Sequence, residues 1–81
     1  MQERGHTLDK LKKGEKARIL KVNGENIMIR RRLFDMGITK DVIVTVTKIA
    51  PLGDPICLSL RGYSLLVRKT DVKDVEVELI R

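Results

Sequence analysis

Cysteine, histidine and aromatic residues are scarce in this sequence. Its 81 residues include one cysteine, one histidine and no tryptophan. The single cysteine, Cys57, excludes a disulfide within the chain and is typical of a reducing compartment. Because structural zinc takes four Cys or His ligands and catalytic zinc usually three, His6 and Cys57 complete neither kind of site. We predict no metal centre and no cofactor, with weak transition-metal binding as an open alternative.

Catalytic patterns are missing as well. Ser59, Ser64 and Cys57 have no histidine base except His6, which lies near the N-terminus. No glycine-rich phosphate loop is present, because the glycines stand singly at turns. The sequence therefore predicts a binding domain rather than an enzyme.

Long apolar runs are absent too. None approaches the roughly 20 residues of a membrane span, and no secretory signal opens the chain. The length fits one small domain over residues 1–81. We predict a cytoplasmic protein.

Positive charge is plentiful, with 17 Lys and Arg against 11 Asp and Glu, for a net charge of +6. The cations are spread along the chain, and Arg30–Arg32 is the one run. A solvated basic surface is one interpretation, and it would suit the anionic cytoplasmic leaflet of a membrane. A nucleic-acid-binding barrel is the other, although it would have only Phe34 and Tyr63 for base stacking.

The hydrophobic pattern predicts a mainly β fold. Apolar residues alternate in short segments over 15–22, 42–47, 56–60, 64–68 and 75–79, and tight turns separate them. Residues 1–6 are expected to be flexible, a short helical turn follows Thr7, and another covers 70–74. Gly14, Gly37 and Gly62 are predicted at structural turns. Five short strands with one inserted helix, about 25–36, indicate a small antiparallel barrel.

The predicted helix has apolar residues on two faces. Ile29, Leu33 and Met36 form a stripe at helical spacing, which is expected to face the core. Ile27 and Phe34 lie almost opposite that stripe. Either a neighbouring loop covers this pair, or it is exposed and forms a partner-binding surface together with the arginines. Arg30 and Arg31 are the candidates for that surface.

The segment Ala50–Pro55 is the most unusual loop in the chain. Pro51 and Pro55 restrict the backbone and lack N–H donors, and Gly53 between them permits a positive φ. Leu52 and Asp54 complete the sequence. A rigid connector between two strands would explain the composition, yet rigid loops on barrels also carry recognition. We therefore include Pro51, Leu52, Gly53, Asp54 and Pro55 among the candidate partner-binding residues.

Four segments in this order resemble the FeoA family: Thr7–Gly14, Arg32–Ile38, Ala50–Ile56 and Gly62–Arg68. The Pro-Leu-Gly-Asp-Pro loop is the most specific of them, and the resemblance extends from Thr7 to about Leu79. The chain departs from the family in the turn after Ile38. Lys40 stands where proline is common and Asp41 where glycine is usual, so a left-handed Asp41 is one interpretation of that turn.

The resemblance implies a fold and a partner. Members of the family are small cytoplasmic accessory proteins of bacterial ferrous-iron uptake, and their module is an SH3-like barrel with a helical insertion. The C-terminal domain of iron-dependent repressors of the diphtheria-toxin-repressor type is similar to it. The implied partner is FeoB, a membrane ferrous-iron permease with a cytoplasmic GTP-binding domain. A regulatory or assembly role is then expected, with a metal-responsive module as an alternative.

Overall fold

The computed structural model describes the backbone of residues 2–81 and the side chains from residue 5 onward. Its strands are β1 (Gln2–Thr7), β2 (Lys16–Val22), β3 (Ile43–Ile49), β4 (Ile56–Leu60), β5 (Tyr63–Val67) and β6 (Val75–Ile80). Its helices are α1 (Ile27–Asp35) and α2 (Lys69–Val72), and a 3-10 turn covers Leu8–Lys10. The mainly β fold with an inserted helix is thus confirmed.

One antiparallel sheet contains all six strands, in the order β1-β6-β2-β3-β4-β5. The sequence predicted five of them. The sixth is β1, which pairs with β6 through Gln2 opposite Ile80 and Thr7 opposite Glu76. The prediction of a flexible N-terminus is therefore wrong for residues 2–6, while Met1 lies outside the described residues. An edge strand can be held by backbone hydrogen bonds alone, and β1 has no apolar alternation that would indicate it.

Helix α1 begins two residues later and ends one residue earlier than the predicted 25–36. Asn26 caps it, and its Oδ1 accepts hydrogen bonds from the backbone N–H groups of Met28 (3.0 Å) and Ile29 (3.2 Å). At the other end Gly37 has a φ of 94°, and Ile38 donates its N–H to the Leu33 carbonyl at 3.0 Å. This closes the helix with the left-handed stop that the sequence indicated.

The core is built from alternate residues of the strands and the inner face of α1. Leu33 is buried, and Ile29 and Met36 pack against the core beside it, as the helical stripe predicted. The buried apolar side chains are Leu8, Leu11, Ala17, Ile19, Leu33, Ile38, Val42, Val44, Val46, Ile56, Leu58, Leu60, Val67, Val72, Val75, Val77 and Leu79. In the part of the chain that the structure describes, no helix is long and apolar enough to cross a bilayer.

The turns agree with the sequence in most places. Gly14, Gly37 and Gly62 all have positive φ, and Asp41 is left-handed with a φ of 73°. The β4–β5 turn is Arg61-Gly62, with φ values of 48° and 84°, so β5 begins one residue earlier than the predicted 64–68. Two left-handed residues in a two-residue loop match the right-handed twist of a hairpin.

Candidate functional site

The outer face of α1 is uncovered. Because Leu33 points into the core, the helical period turns Ile27 and Phe34 outward. Their side chains are 67% and 66% exposed. Of the two interpretations that the sequence left open, the structure favours an exposed apolar pair over a pair covered by a loop.

Ile27 and Phe34 form one wall of a groove between α1, β2 and the segment after the helix. The apolar side chains deeper in this groove are Leu20, Val22 and Ile38. Its volume is about 470 Å³, within the range of about 300–1,000 Å³ that ligand pockets occupy. We call it the α1–β2 groove. Its five apolar residues come from three separate segments of the chain.

Cations surround the α1–β2 groove. Lys21, Arg30, Arg31 and Lys40 line it, and no carboxylate among the described residues does so. The sequence predicted Ile27, Arg30, Arg31 and Phe34 here, and the structure brings all four together. The sequence-based prediction missed Lys21 and Lys40, since nothing in their spacing shows that β2 and the Thr39–Asp41 turn meet beside the helix.

Arg32 differs from its two neighbours. Its Nη2 lies 2.7 Å from the Asp71 Oδ2, which ties α1 to α2 by an ion pair. The three arginines therefore do not form one patch, and two of them are left for the groove.

The Pro51–Pro55 loop lies apart from the α1–β2 groove. The Gly53 N–H donates to the Ala50 carbonyl at 2.7 Å, and the Asp54 Oδ1 accepts the N–H of Lys69 at 2.9 Å. These bonds hold the loop against the start of α2, and Leu52 at its tip is 98% exposed. The lining of the groove includes no residue of this loop.

A second depression lies between the start of α1 and α2. Its lining is mainly polar and includes Glu25, Asp71, Lys73 and Asp74. Within the described residues, no three His, Cys, Asp or Glu side chains come together as a metal site would require. The α1–β2 groove is therefore the surface whose composition best fits an interface, which combines an apolar centre with arginine.

Comparison with known proteins places this fold in a family. The FeoA domain model matches residues 6–79. A fusion of Fe(2+) transport protein A with the Fe(2+) transporter FeoB, from Porphyromonas gingivalis, is 36% identical over 73 residues. That alignment covers 90% of this chain but only 8% of the fusion protein, so this chain spans a small part of that relative.

Solved structures agree with the sequence comparison. A FeoA-like protein from Clostridium acetobutylicum superposes with a TM-score of 0.88 at 37% identity, covering 96% of this chain and 90% of the other. Stenotrophomonas maltophilia FeoA, solved as a zinc complex, is described as an SH3 domain protein. It superposes with a TM-score of 0.78 at 26% identity, covering 90% of this chain and 89% of the other. The SH3-like architecture that the sequence predicted is confirmed. The chain belongs to the FeoA domain family.

Proposed function

We propose that this protein is a non-enzymatic accessory protein of ferrous-iron uptake that binds the cytoplasmic part of a FeoB-type permease. Family membership supports the role in ferrous-iron transport. The proposed activity is to hold a protein surface, and it requires no cofactor. We also propose that the protein is cytoplasmic and lies next to the membrane that contains its partner.

The observation that carries the proposal is the fused relative. In Porphyromonas gingivalis one chain contains both an Fe(2+) transport protein A part and a FeoB part. Fusion raises the effective concentration of one part around the other, commonly to the millimolar range, and is useful when the two work together. We infer that the corresponding two parts associate here as well.

The α1–β2 groove is the surface we propose for this contact. Ile27 and Phe34 expose aliphatic and aromatic area that a partner can remove from water, at about 25 cal/mol per Å². Arg30 and Arg31 stand beside them, and arginine and aromatic side chains dominate the centres of protein interfaces. We assign Leu52, Pro51 and the rest of the 51–55 loop to a second, separate contact.

Substitution of Phe34 tests the proposal. Phe34→Ala is expected to weaken binding of the purified permease cytoplasmic domain by about tenfold or more, the usual effect of removing an interface anchor. The unfolding free energy of the Phe34→Ala variant should differ from that of the wild type by less than about 0.5 kcal/mol, because the Phe34 side chain is exposed. Isothermal titration and thermal unfolding measure the two quantities.

Met28→Ala is the matched control. Met28 is on the same helix and is 78% exposed, but it does not line the α1–β2 groove. We expect wild-type affinity from this variant, and a smaller loss from Leu52→Ala than from Phe34→Ala. Absence of binding by the wild-type protein would contradict the proposed function. Equal affinities of the Phe34 and Met28 variants would contradict the proposed surface.

A further inference from the structure

The charges around the α1–β2 groove are unbalanced. Arg18 and Arg32, outside the groove, each contact a carboxylate of this chain, namely Glu78 and Asp71. Lys21, Arg30, Arg31 and Lys40 make no ion pair among the residues whose side chains are described. Four unpaired cations thus border an apolar depression that holds no negative charge.

Arg30 lines both the groove and the second depression, yet it makes no ion pair with a carboxylate among the residues whose side chains are described. Its Nε is buried and has no hydrogen-bond partner among the described residues. Buried polar atoms in folded proteins nearly always have a partner, because an unsatisfied donor costs about 1–3 kcal/mol. Arg30 as a whole is partly exposed, and a carboxylate of another molecule that reached its guanidinium would form a charge-assisted hydrogen bond, which is stronger than a neutral one.

We propose that the α1–β2 groove binds an acidic amphipathic segment of its partner, with apolar side chains in the groove and carboxylates at Arg30, Arg31, Lys21 and Lys40. This inference rests on the proposed function and names the chemistry of the segment that the groove takes. Apolar contact supplies most of the affinity. The cations at the edge set orientation and speed association.

The shape of the groove favours a protein segment over a lipid surface. Ile38 is fully buried and Leu20 and Val22 are partly buried, whereas Ile27 and Phe34 in the same lining are exposed. A bilayer could meet the exposed tips of Ile27 and Phe34, but it is too flat to fill the space beneath them. A protein segment with protruding side chains can fill it.

Charge reversal at the rim tests the inference. We expect Arg31→Glu/Lys40→Glu to weaken binding of the permease cytoplasmic domain by about tenfold or more, mainly through slower association. Lys12→Glu/Lys13→Glu is the matched control, because it changes net charge equally at exposed positions outside the groove. That control should keep nearly wild-type affinity. Surface plasmon resonance at ionic strengths of about 0.05 and 0.5 M should show wild-type association slowing as salt rises.

The outcomes separate this inference from the proposed function. If Phe34→Ala weakens binding but Arg31→Glu/Lys40→Glu does not, the acidic segment is overturned and the permease contact stands. Equal loss in the two charge-reversed variants would also overturn it, because net charge alone would then explain the effect. Binding to vesicles of anionic phospholipid that needs Phe34 and Arg31, with no binding to the permease domain, would overturn both.

Discussion

At the scale of single residues, the contact between Tyr63 and the end of α1 joins the helix to the sheet. The Tyr63 hydroxyl donates a hydrogen bond to the Met36 carbonyl, one of the carbonyls that the end of a helix leaves without an internal partner. Gly37 lies directly beneath the same hydroxyl. The left-handed φ of Gly37 and the nearby ring therefore both require a residue without a side chain.

Gly37→Ala should destabilise the protein more than Gly62→Ala. Both glycines have positive φ, which costs alanine about 1–2 kcal/mol. At Gly37 the new Cβ would also overlap the Tyr63 hydroxyl, whereas at Gly62 it meets no atom within 4 Å. Chemical denaturation measures the difference. In a Tyr63→Phe background the two losses should become similar, and a Gly37→Ala loss unchanged by that background would contradict this account.

Arg18 links two strands by its charge. It lies directly opposite Glu78, and its Nη2 is 2.9 Å from the Glu78 Oε2. The hydrogen bond to Glu78 raises the pKa of Arg18, and Asp41 adds to the effect, while desolvation opposes it. Glu78 is only 5% exposed, so removing the arginine that faces it would take a charge partner from a buried carboxylate.

Arg18→Ala is expected to lower the unfolding temperature more than Arg31→Ala, because it removes a charge partner of a buried carboxylate. Thermal unfolding at neutral pH provides the measurement. Arg18→Lys should recover part of the loss, since it restores the charge but not the two hydrogen bonds that Nε and Nη2 of the guanidinium donate to the Glu78 Oε2. Similar unfolding temperatures for the two alanine variants would show that the Arg18–Glu78 pair contributes little.

At the scale of elements, the groove depends on how α1 begins. The helix has only nine residues, too few to be stable alone, so its cap and its packing must both hold it. Asn26 supplies that cap one residue before Ile27, at the wall of the groove. The stability of this helix and the shape of the groove are therefore linked.

Asn26→Ala should cost about 1 kcal/mol of unfolding free energy, the usual value of an N-cap, and should also weaken partner binding. Asn26→Asp is the control, because aspartate accepts the same backbone bonds and suits a helix N-terminus. Denaturant titration and binding to the permease domain test the pair. A loss of stability without any loss of binding would contradict the proposed link between the Asn26 cap and the shape of the groove.

Strand β5 forms one edge of the sheet, so only one of its sides is hydrogen-bonded. Its two-residue turn sets the register, with Leu65 opposite Leu58 and Ser64 opposite Ser59. Hydrogen-bonded and non-hydrogen-bonded pairs alternate in such a hairpin. With Leu60 and Tyr63 closing the turn, Leu65 directs its N–H toward β4, and Ser64 directs its N–H to the free edge.

Ser64→Pro should therefore be tolerated at a cost of about 1 kcal/mol or less, because the edge loses no ladder bond. Leu65→Pro should cost at least about 2 kcal/mol more, since it removes a ladder bond and disturbs packing. Denaturation curves of the two variants compare them directly. A reversal of this order would contradict the register of β5.

The elements that sequence reasoning recovered are those with a strong local pattern. The spacing of Ile29, Leu33 and Met36 revealed α1, and its second apolar pair revealed the exposed face. In β2, the alternation predicted over 15–22 is interrupted by a break in strand pairing between Ile19 and Lys21. Strand β1 was missed because its partner lies at the far end of the chain.

At the scale of the whole molecule, the candidate site contains more residues than the sequence pattern could reveal. Ile27 and Phe34 could be read from the helical period. The base of the groove could not, because Leu20 and Val22 follow a strand pattern and Ile38 follows a helix stop. Lys21 and Lys40 join them only when β2 and the Thr39–Asp41 turn fold beside α1. Tertiary contact, which no local pattern encodes, assembles the groove.

The central claim is that the α1–β2 groove binds the cytoplasmic part of a FeoB-type permease. Titration of the isotopically labelled protein with that purified domain, followed by backbone amide resonances, tests it most directly. We expect saturable shifts that concentrate at residues 20–22, 27–34 and 38–40 and spare the 12–14 turn. Resonances that stay unchanged at high partner concentration, or shifts confined to residues outside the groove, would contradict it.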